Sequence, residues 1–276
     1  MSSDLDHLLE YGYFVLKNII PSDLIDELTS ITNKLLDEQS DQEIDEQKST
    51  GSMIHISEDP FFANLISYKN VLDKLKRSGI YDLKFSSGYI ISKPALSPPL
   101  FWHYDWAGWD HPFSWTKIPA QLFFMYYLVD TNVHNGCLRV IPKSHIKDNP
   151  LHELLGDAHT SKLRQAKDLK LPEFQFQKEE KDIPVKAGDL VIGDSRLLHA
   201  AHSNNTNKRR TLITLWYHPW YKKIPGPLQG YISNMWRIPK DWPINDKQKI
   251  EGFRPIYTGK EKAVKFKRSR PKRLII

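Results

Sequence analysis

The spacing of apolar residues along the chain changes character once, near residue 82. Before it, "GYFVLKNII" (12–20) is a short, β-branched apolar run that predicts a strand. Pro21 and Ser22 then open a segment in which Leu24, Leu28, Ile31 and Leu35 recur every three or four residues, the stripe of an amphipathic helix. The acidic stretch 37–46 reads as a solvated helix end or a loop. A second helix is expected from about Pro60 to Ser78, closed by Gly79 as a left-handed cap. From residue 82 onward the helical period gives way to aromatic and β-branched runs. "LKFSSGYIISKP" (83–94), "AQLFFMYYLVD" (120–130), "DIPVKAGDLVIGD" (182–194) and "RTLITLWYHP" (210–219) are predicted strands, separated by turn residues. Two long polar segments, about 95–119 and 146–181, interrupt them; loops of that length tend to be functional lids or insertions. Helices first and strands afterwards predict a mostly β fold with flanking α, a sandwich or barrel with N-terminal helices packed outside.

Composition narrows the setting more than the fold. The chain has 276 residues, 40% hydrophobic and 26% charged, enough for a sizeable core. No apolar run approaches the roughly 20 residues of a membrane span. The first residues are acidic where a secretory signal would be basic. Cys137 is the only cysteine, which excludes an intramolecular disulfide and suits a reducing, cytoplasmic compartment. The net charge of +6 is concentrated at one end: "KEKAVKFKRSRPKR" (260–273) holds eight bases and one acid, leaving the body near neutral. We therefore expect one domain over 1–259 with its strand core at about 82–220, and a solvated basic tail over 260–276. Specific nucleic-acid binding is not expected, because it would need basicity on the body.

The candidate chemistry begins in "FWHYDWAGWDHPFSW" (101–115), with four tryptophans, two histidines and two aspartates. His103 and Asp105 stand at i and i+2, a spacing that puts both side chains on one face of an extended chain. Much later His199 ends the apolar approach of "GDSRLLHAAH". Two histidines and a carboxylate form the facial triad of non-haem Fe(II) oxygenases, which leaves coordination positions open for co-substrate and O2. His111, His145, His202 and His218 are competing ligands, with His202 the nearest rival to His199.

Three further segments carry a resemblance: "WHYD" (102–105), "NGCLRVIPKSH" (135–145) and "GDLVIGDSRLLHAAHSNNTNKRR" (188–210). In this order the chain resembles the phytanoyl-CoA dioxygenase family of Fe(II)/2-oxoglutarate-dependent oxygenases, over roughly residues 8–220. The resemblance implies a double-stranded β-helix, or jelly-roll barrel, with Fe(II) on His103, Asp105 and His199 at its mouth. His145 and His202 would lie off the metal. It places the 2-oxoglutarate-binding arginine at Arg210, and strand parity separates Arg210 from Arg209: Arg210 shares a face with Leu212, Thr214 and Trp216. Further co-substrate contacts are expected from Tyr89, Lys93, Met125 and Thr206, and substrate contacts from Trp106 and Trp109. The implied reaction consumes O2 and converts 2-oxoglutarate to succinate and CO2 while hydroxylating an aliphatic C–H of a small-molecule or acyl substrate. Halogenases of the family replace the aspartate by a small residue, and Asp105 is retained. The alternative is an inactive jelly-roll binding module, which would show a broken triad or a missing arginine.

Overall fold

Residues 122–127 read LFFMYY, without the alternation of a half-solvated strand, and every one of them is buried. A strand of this kind needs apolar cover on both faces. The computed structural model describes residues 3–236, 239–265, 267, 268 and 270. Ten strands are present among them: β1 (Tyr13–Leu16), β2 (Ser52–His55), β3 (Lys84–Lys93), β4 (Leu100–His103), β5 (Leu122–Tyr127), β6 (Leu138–Val140), β7 (Lys181–Ile183), β8 (Leu190–Asp194), β9 (His199–Ala201) and β10 (Arg210–His218). They form a six-stranded sheet in the order β1-β8-β5-β10-β3-β2 and a four-stranded sheet in the order β4-β9-β6-β7. All strand pairings are antiparallel. The fold is the expected mostly β jelly roll with helices outside.

The two faces of the large sheet bury different things. Leu122, Phe124 and Tyr126 of β5, with Ile192, Ile213 and Leu215, pack against the N-terminal helices through Leu28, Leu36, Phe62 and Leu75. The alternate residues Phe123, Met125 and Tyr127 turn inward with Val191 and Leu212, and meet Leu138 and Val140 of the small sheet. The period-2 alternation thus assigns even positions of β5 to the helical layer and odd positions to the barrel interior.

Several elements depart from expectation. The helix expected over 60–78 is two, Phe62–Ile66 and Lys69–Arg77, with Ser67 at the break bonding back to the Ala63 carbonyl through Oγ at 2.7 Å. The second does end at Gly79, which takes φ +88°; the Gly79 N–H donates to the Lys76 carbonyl and the Ile80 N–H to the Leu75 carbonyl, both signatures of a left-handed helix stop. The acidic stretch forms a helix, Asp41–Glu46, under a reciprocal Ser40–Glu43 cap. Residues 182–194 contribute to two strands, β7 and β8, and both polar segments contain structure, β4 in the first and two short helices in the second. The basic tail, expected to be solvated, lies against the body where it is described. Lys267 forms a bridge to Gly108, and the Arg270 side chain is 2% exposed.

Candidate metal and co-substrate centre

β4 and β9 pair so that the Cα atoms of His103 and His199 are direct partners, and their rings lie 4.2 Å apart between centroids. Each ring is held by its own chain. His103 Nδ1 is 3.0 Å from the Phe101 carbonyl, and His199 Nδ1 is 3.0 Å from the Leu197 carbonyl. A carbonyl can only accept, so Nδ1 is the donor in each ring, which leaves Nε2 as the atom that would hold a metal. Burial, reinforced by His199 and His159, holds the His103 pKa well below the ordinary histidine value.

Asp105 reaches the histidines by a different route from the extended-chain parity expected. β4 ends at His103. The chain then turns, and the N–H groups of Asp105 and Trp106 both donate to the Ser195 carbonyl at 2.8 Å. This turn brings Asp105 Oδ1 to 3.6 Å from His103 Nε2 and Oδ2 to 3.9 Å from His199 Nε2. Trp216 Nε1, from β10, donates to Oδ2 at 2.8 Å and fixes the carboxylate. Ser195 is itself fixed by a buried pair: Arg196 binds Asp194 at 2.6 Å and donates to the Ser114 carbonyl at 2.9 Å. The ligand atoms of His103, Asp105 and His199 all lie within 4.8 Å of one another. The competing histidines point elsewhere. His202 binds Asp182 at 2.6 Å, His145 approaches the Leu9 carbonyl, His111 accepts from the Phe113 N–H, and His218 meets the Ala120 carbonyl.

Arg210 opens β10 opposite Lys93 of β3. It is 4% exposed, and its Nε and Nη1 have no hydrogen-bond partner. It lines a small inner pocket that it shares with all three members of the triad and with Met125, Tyr127 and Thr214. No carboxylate but Asp105 lines that pocket among the described residues. A buried guanidinium without an acid costs several kcal/mol by order of magnitude, a standing demand for an anion. Its neighbour Arg209 faces outward and pairs with Asp37 at 2.6 Å. Two imidazoles, one carboxylate and an arginine with unpaired Nε and Nη1 are the donor set that a divalent metal and a bound dicarboxylate would require, so these residues fit Fe(II) and 2-oxoglutarate.

The other expected site residues divide. Met125 lines the inner pocket. Tyr89 lines an outer cavity, its ring 5.1 Å from His55 and 6.1 Å from Trp216. Trp106 also borders that cavity and is anchored by Nε1 donating to Ser114 Oγ at 2.9 Å. Lys93 does not reach the inner pocket: its ammonium is spent on the Ser49 and Pro98 carbonyls at 2.9 and 2.6 Å, tying β3 to neighbouring segments. Thr206 lies in the β9–β10 turn, with Oγ1 bonded to Asn204 Oδ1 at 2.7 Å and no place in the pocket. Trp109 is also displaced from its expected role. It is 2% exposed in an apolar cluster with Tyr104 and Trp115, 5.5 and 5.6 Å away, and borders neither cavity.

Sequence reasoning missed His159, whose ring stands 5.4 Å from that of His103 and whose pKa burial lowers to about 4. It missed Arg164 and Arg268, which line the outer cavity. His159 and Arg164 sit in the 146–181 insertion, where no hydrophobic period ties a residue to a face.

The phytanoyl-CoA dioxygenase (PhyH) family model matches residues 8–212. A search of curated proteins finds no match. Among solved structures the chain is similar to HygX from Streptomyces hygroscopicus with nickel and 2-oxoglutarate bound, at 19% identity and TM-score 0.58, covering 79% of this chain and 86% of that one. It is similar to EctD from S. alaskensis at 19% identity and TM-score 0.56, covering 80% and 78%. The epimerase SnoN from nogalamycin biosynthesis, in complex with Fe3+, alpha ketoglutarate and nogalamycin RO, aligns at 18% identity and TM-score 0.55, covering 77% and 80%.

Proposed function

We propose, since the chain belongs to the phytanoyl-CoA dioxygenase family, that it is a dioxygenase using Fe(II), 2-oxoglutarate and O2 on a small-molecule substrate. His103, Asp105 and His199 would hold the metal, and Arg210 the far carboxylate of the co-substrate. The observation that carries this reading is Arg210, a buried cation with unpaired donors in the same pocket as a tautomer-locked His–Asp–His cluster. When bound, the metal and 2-oxoglutarate supply the oxidation, which ends in succinate, CO2 and an oxidised substrate, in our reading a hydroxylated aliphatic carbon.

The chain's own residues orient and exclude. The Phe101 and Leu197 carbonyls keep both Nε2 atoms forward, and the Trp216 indole keeps Asp105 turned toward them. Met125, Leu138 and Leu212 line the inner pocket with apolar surface, which keeps bulk water from the Arg210 contact and strengthens it. The retained Asp105 favours hydroxylation over halogen transfer. The alternative of an inactive binding module is disfavoured because neither the triad nor the arginine is missing. No helix among the described residues is long and apolar enough to cross a membrane; the single thiol suits a cytoplasmic setting.

The test is spectroscopic. Anaerobic Fe(II) with 2-oxoglutarate should give a weak visible charge-transfer band. His199→Ala should abolish the band and His202→Ala should keep it. The reverse pattern would overturn the ligand assignment.

A further inference from the structure

Among the described residues two groups of metal-binding side chains stand within ligand range, and the proposed function uses only one of them. The other is Cys137, Asp182 and His202, whose ligand atoms all lie within 4.8 Å of one another. The small sheet builds it. Cys137 immediately precedes β6, Asp182 is the middle residue of β7, and His202 immediately follows β9. These strands are neighbours in the order β9-β6-β7, so each contributes one donor. The His202 N–H donates to the Cys137 carbonyl at 3.1 Å, and the Cys137 N–H to the Asn132 carbonyl at 3.0 Å. Gly136, which leads into Cys137, takes φ +89°, and a Cβ there would stand 3.0 Å from the His202 carbonyl oxygen. Glycine is what lets the two chains come this close.

The donors are accessible in different degrees. His202 Nε2 lies 2.6 Å from Asp182 Oδ1, and these side chains are 28% and 42% exposed. Arg139, opposite Asp182 across the β6–β7 pair, is occupied by Glu180 and leaves that carboxylate free of a guanidinium. Cys137 is fully buried, and burial followed by the charge of Asp182 pushes its thiol up to about 11. At neutral pH it keeps its proton, which argues against a cysteine–histidine–carboxylate reaction centre. A divalent cation reverses this by displacing the thiol proton. Ligands on a tetrahedral zinc stand about 3.3–3.6 Å apart, so Asp182 and His202 need to separate by only about 1 Å, within reach of side chains open to solvent. The fourth position then falls to water.

We propose that Cys137, Asp182 and His202 form a second metal site, for Zn2+ or a cation of similar softness. A thiolate beside an imidazole and a carboxylate favours zinc or cobalt over magnesium or calcium, whereas the His103–Asp105–His199 cluster offers no sulfur. The bound ion ties β6, β7 and β9 together at a point three residues beyond His199. The site is independent of the reading of that cluster.

Titration of the full chain with excess Co2+ under argon, in a phosphine reductant, tests this. A thiolate-to-cobalt band should appear in the near ultraviolet, and Zn2+ added afterwards should bleach it. Cys137→Ser should abolish the band. Asp182→Asn and His202→Gln, at partly exposed positions that leave the core intact, should each weaken cobalt binding at least about tenfold, with the circular dichroism spectrum unchanged. These two variants decide the matter even if Cys137→Ser fails to fold. His199→Ala should keep the band, which separates this site from the His–Asp–His cluster. Absence of the band in the parent protein, a band undiminished in both Asp182→Asn and His202→Gln, or its loss in folded His199→Ala would each overturn the proposal.

Discussion

Arg209 and Arg210 are chain neighbours with opposite surroundings, one paired with Asp37 at the surface and the other buried without an acid. A charge-assisted contact to a carboxylate is worth about 1.5–3 kcal/mol, and about 1.4 kcal/mol is tenfold in affinity. Arg210→Ala should therefore raise the dissociation constant for 2-oxoglutarate at least about tenfold by calorimetry, and Arg209→Ala should leave it nearly unchanged. Equal losses would refute the division of labour. This residue pair was readable in the sequence because a strand has only two faces and the Leu212–Thr214–Trp216 pattern names the inner one. His159 was not readable. It lies in a turn between two one-turn helices, too short to show a period, so nothing in the spacing says that its ring meets His103.

The 101–115 stretch shows how an element can be recognised as important and still misassigned in detail. The sequence concentrates aromatic rings there, but cannot say which ring faces the cavity, because the chain leaves β4 at His103 and follows no period afterwards. Trp106 reaches the cavity wall, while Trp109 lies in the cluster that seats Arg270. Trp109→Ala should accordingly behave as a large core truncation, costing ~3–5 kcal/mol in denaturant unfolding. The folded fraction should still bind 2-oxoglutarate normally. A variant with unchanged stability and lost substrate response would return Trp109 to the cavity wall. The strand elements were more legible where both faces are apolar, as in β5, than where the strand is short. β4 and β2, four residues each, gave too few positions for any period to show.

Across the whole molecule, the order of helices and strands announced the architecture, while the contacts that assemble the site join segments far apart in the chain and left no local mark. The same long-range burial sets a response to acid. His218 is fully enclosed, its pKa lowered by burial to about 4, and that of His152 is lowered by burial and Arg270 to about 3. Both are neutral in the folded protein, whereas the unfolded chain binds protons below about pH 6.5. Their contribution to stability is thus complete above about pH 6.5 and declines as pH falls toward about 4, by up to about 1.4 kcal/mol per group per pH unit. Melting temperature should be flat above pH 7 and drop steeply between pH 6.5 and 4. His218→Asn, which keeps a donor for the Ala120 carbonyl, should flatten that slope. A melting temperature constant down to pH 4.5 would contradict the assignment.

The carbonyl bonds at the two Nδ1 atoms carry one more implication, for how the protein chooses its ion. An imidazole on a mobile side chain can rotate to suit whatever cation arrives, and the site then follows the general preference of nitrogen and oxygen donors for copper and zinc. Here both rotations are settled when β4 and β9 come together, and the Trp216 indole settles the carboxylate. An ion that wants a different arrangement must break those bonds to obtain it. In the proposed site, discrimination among metals would therefore rest on backbone carbonyls and an indole that are not themselves ligands.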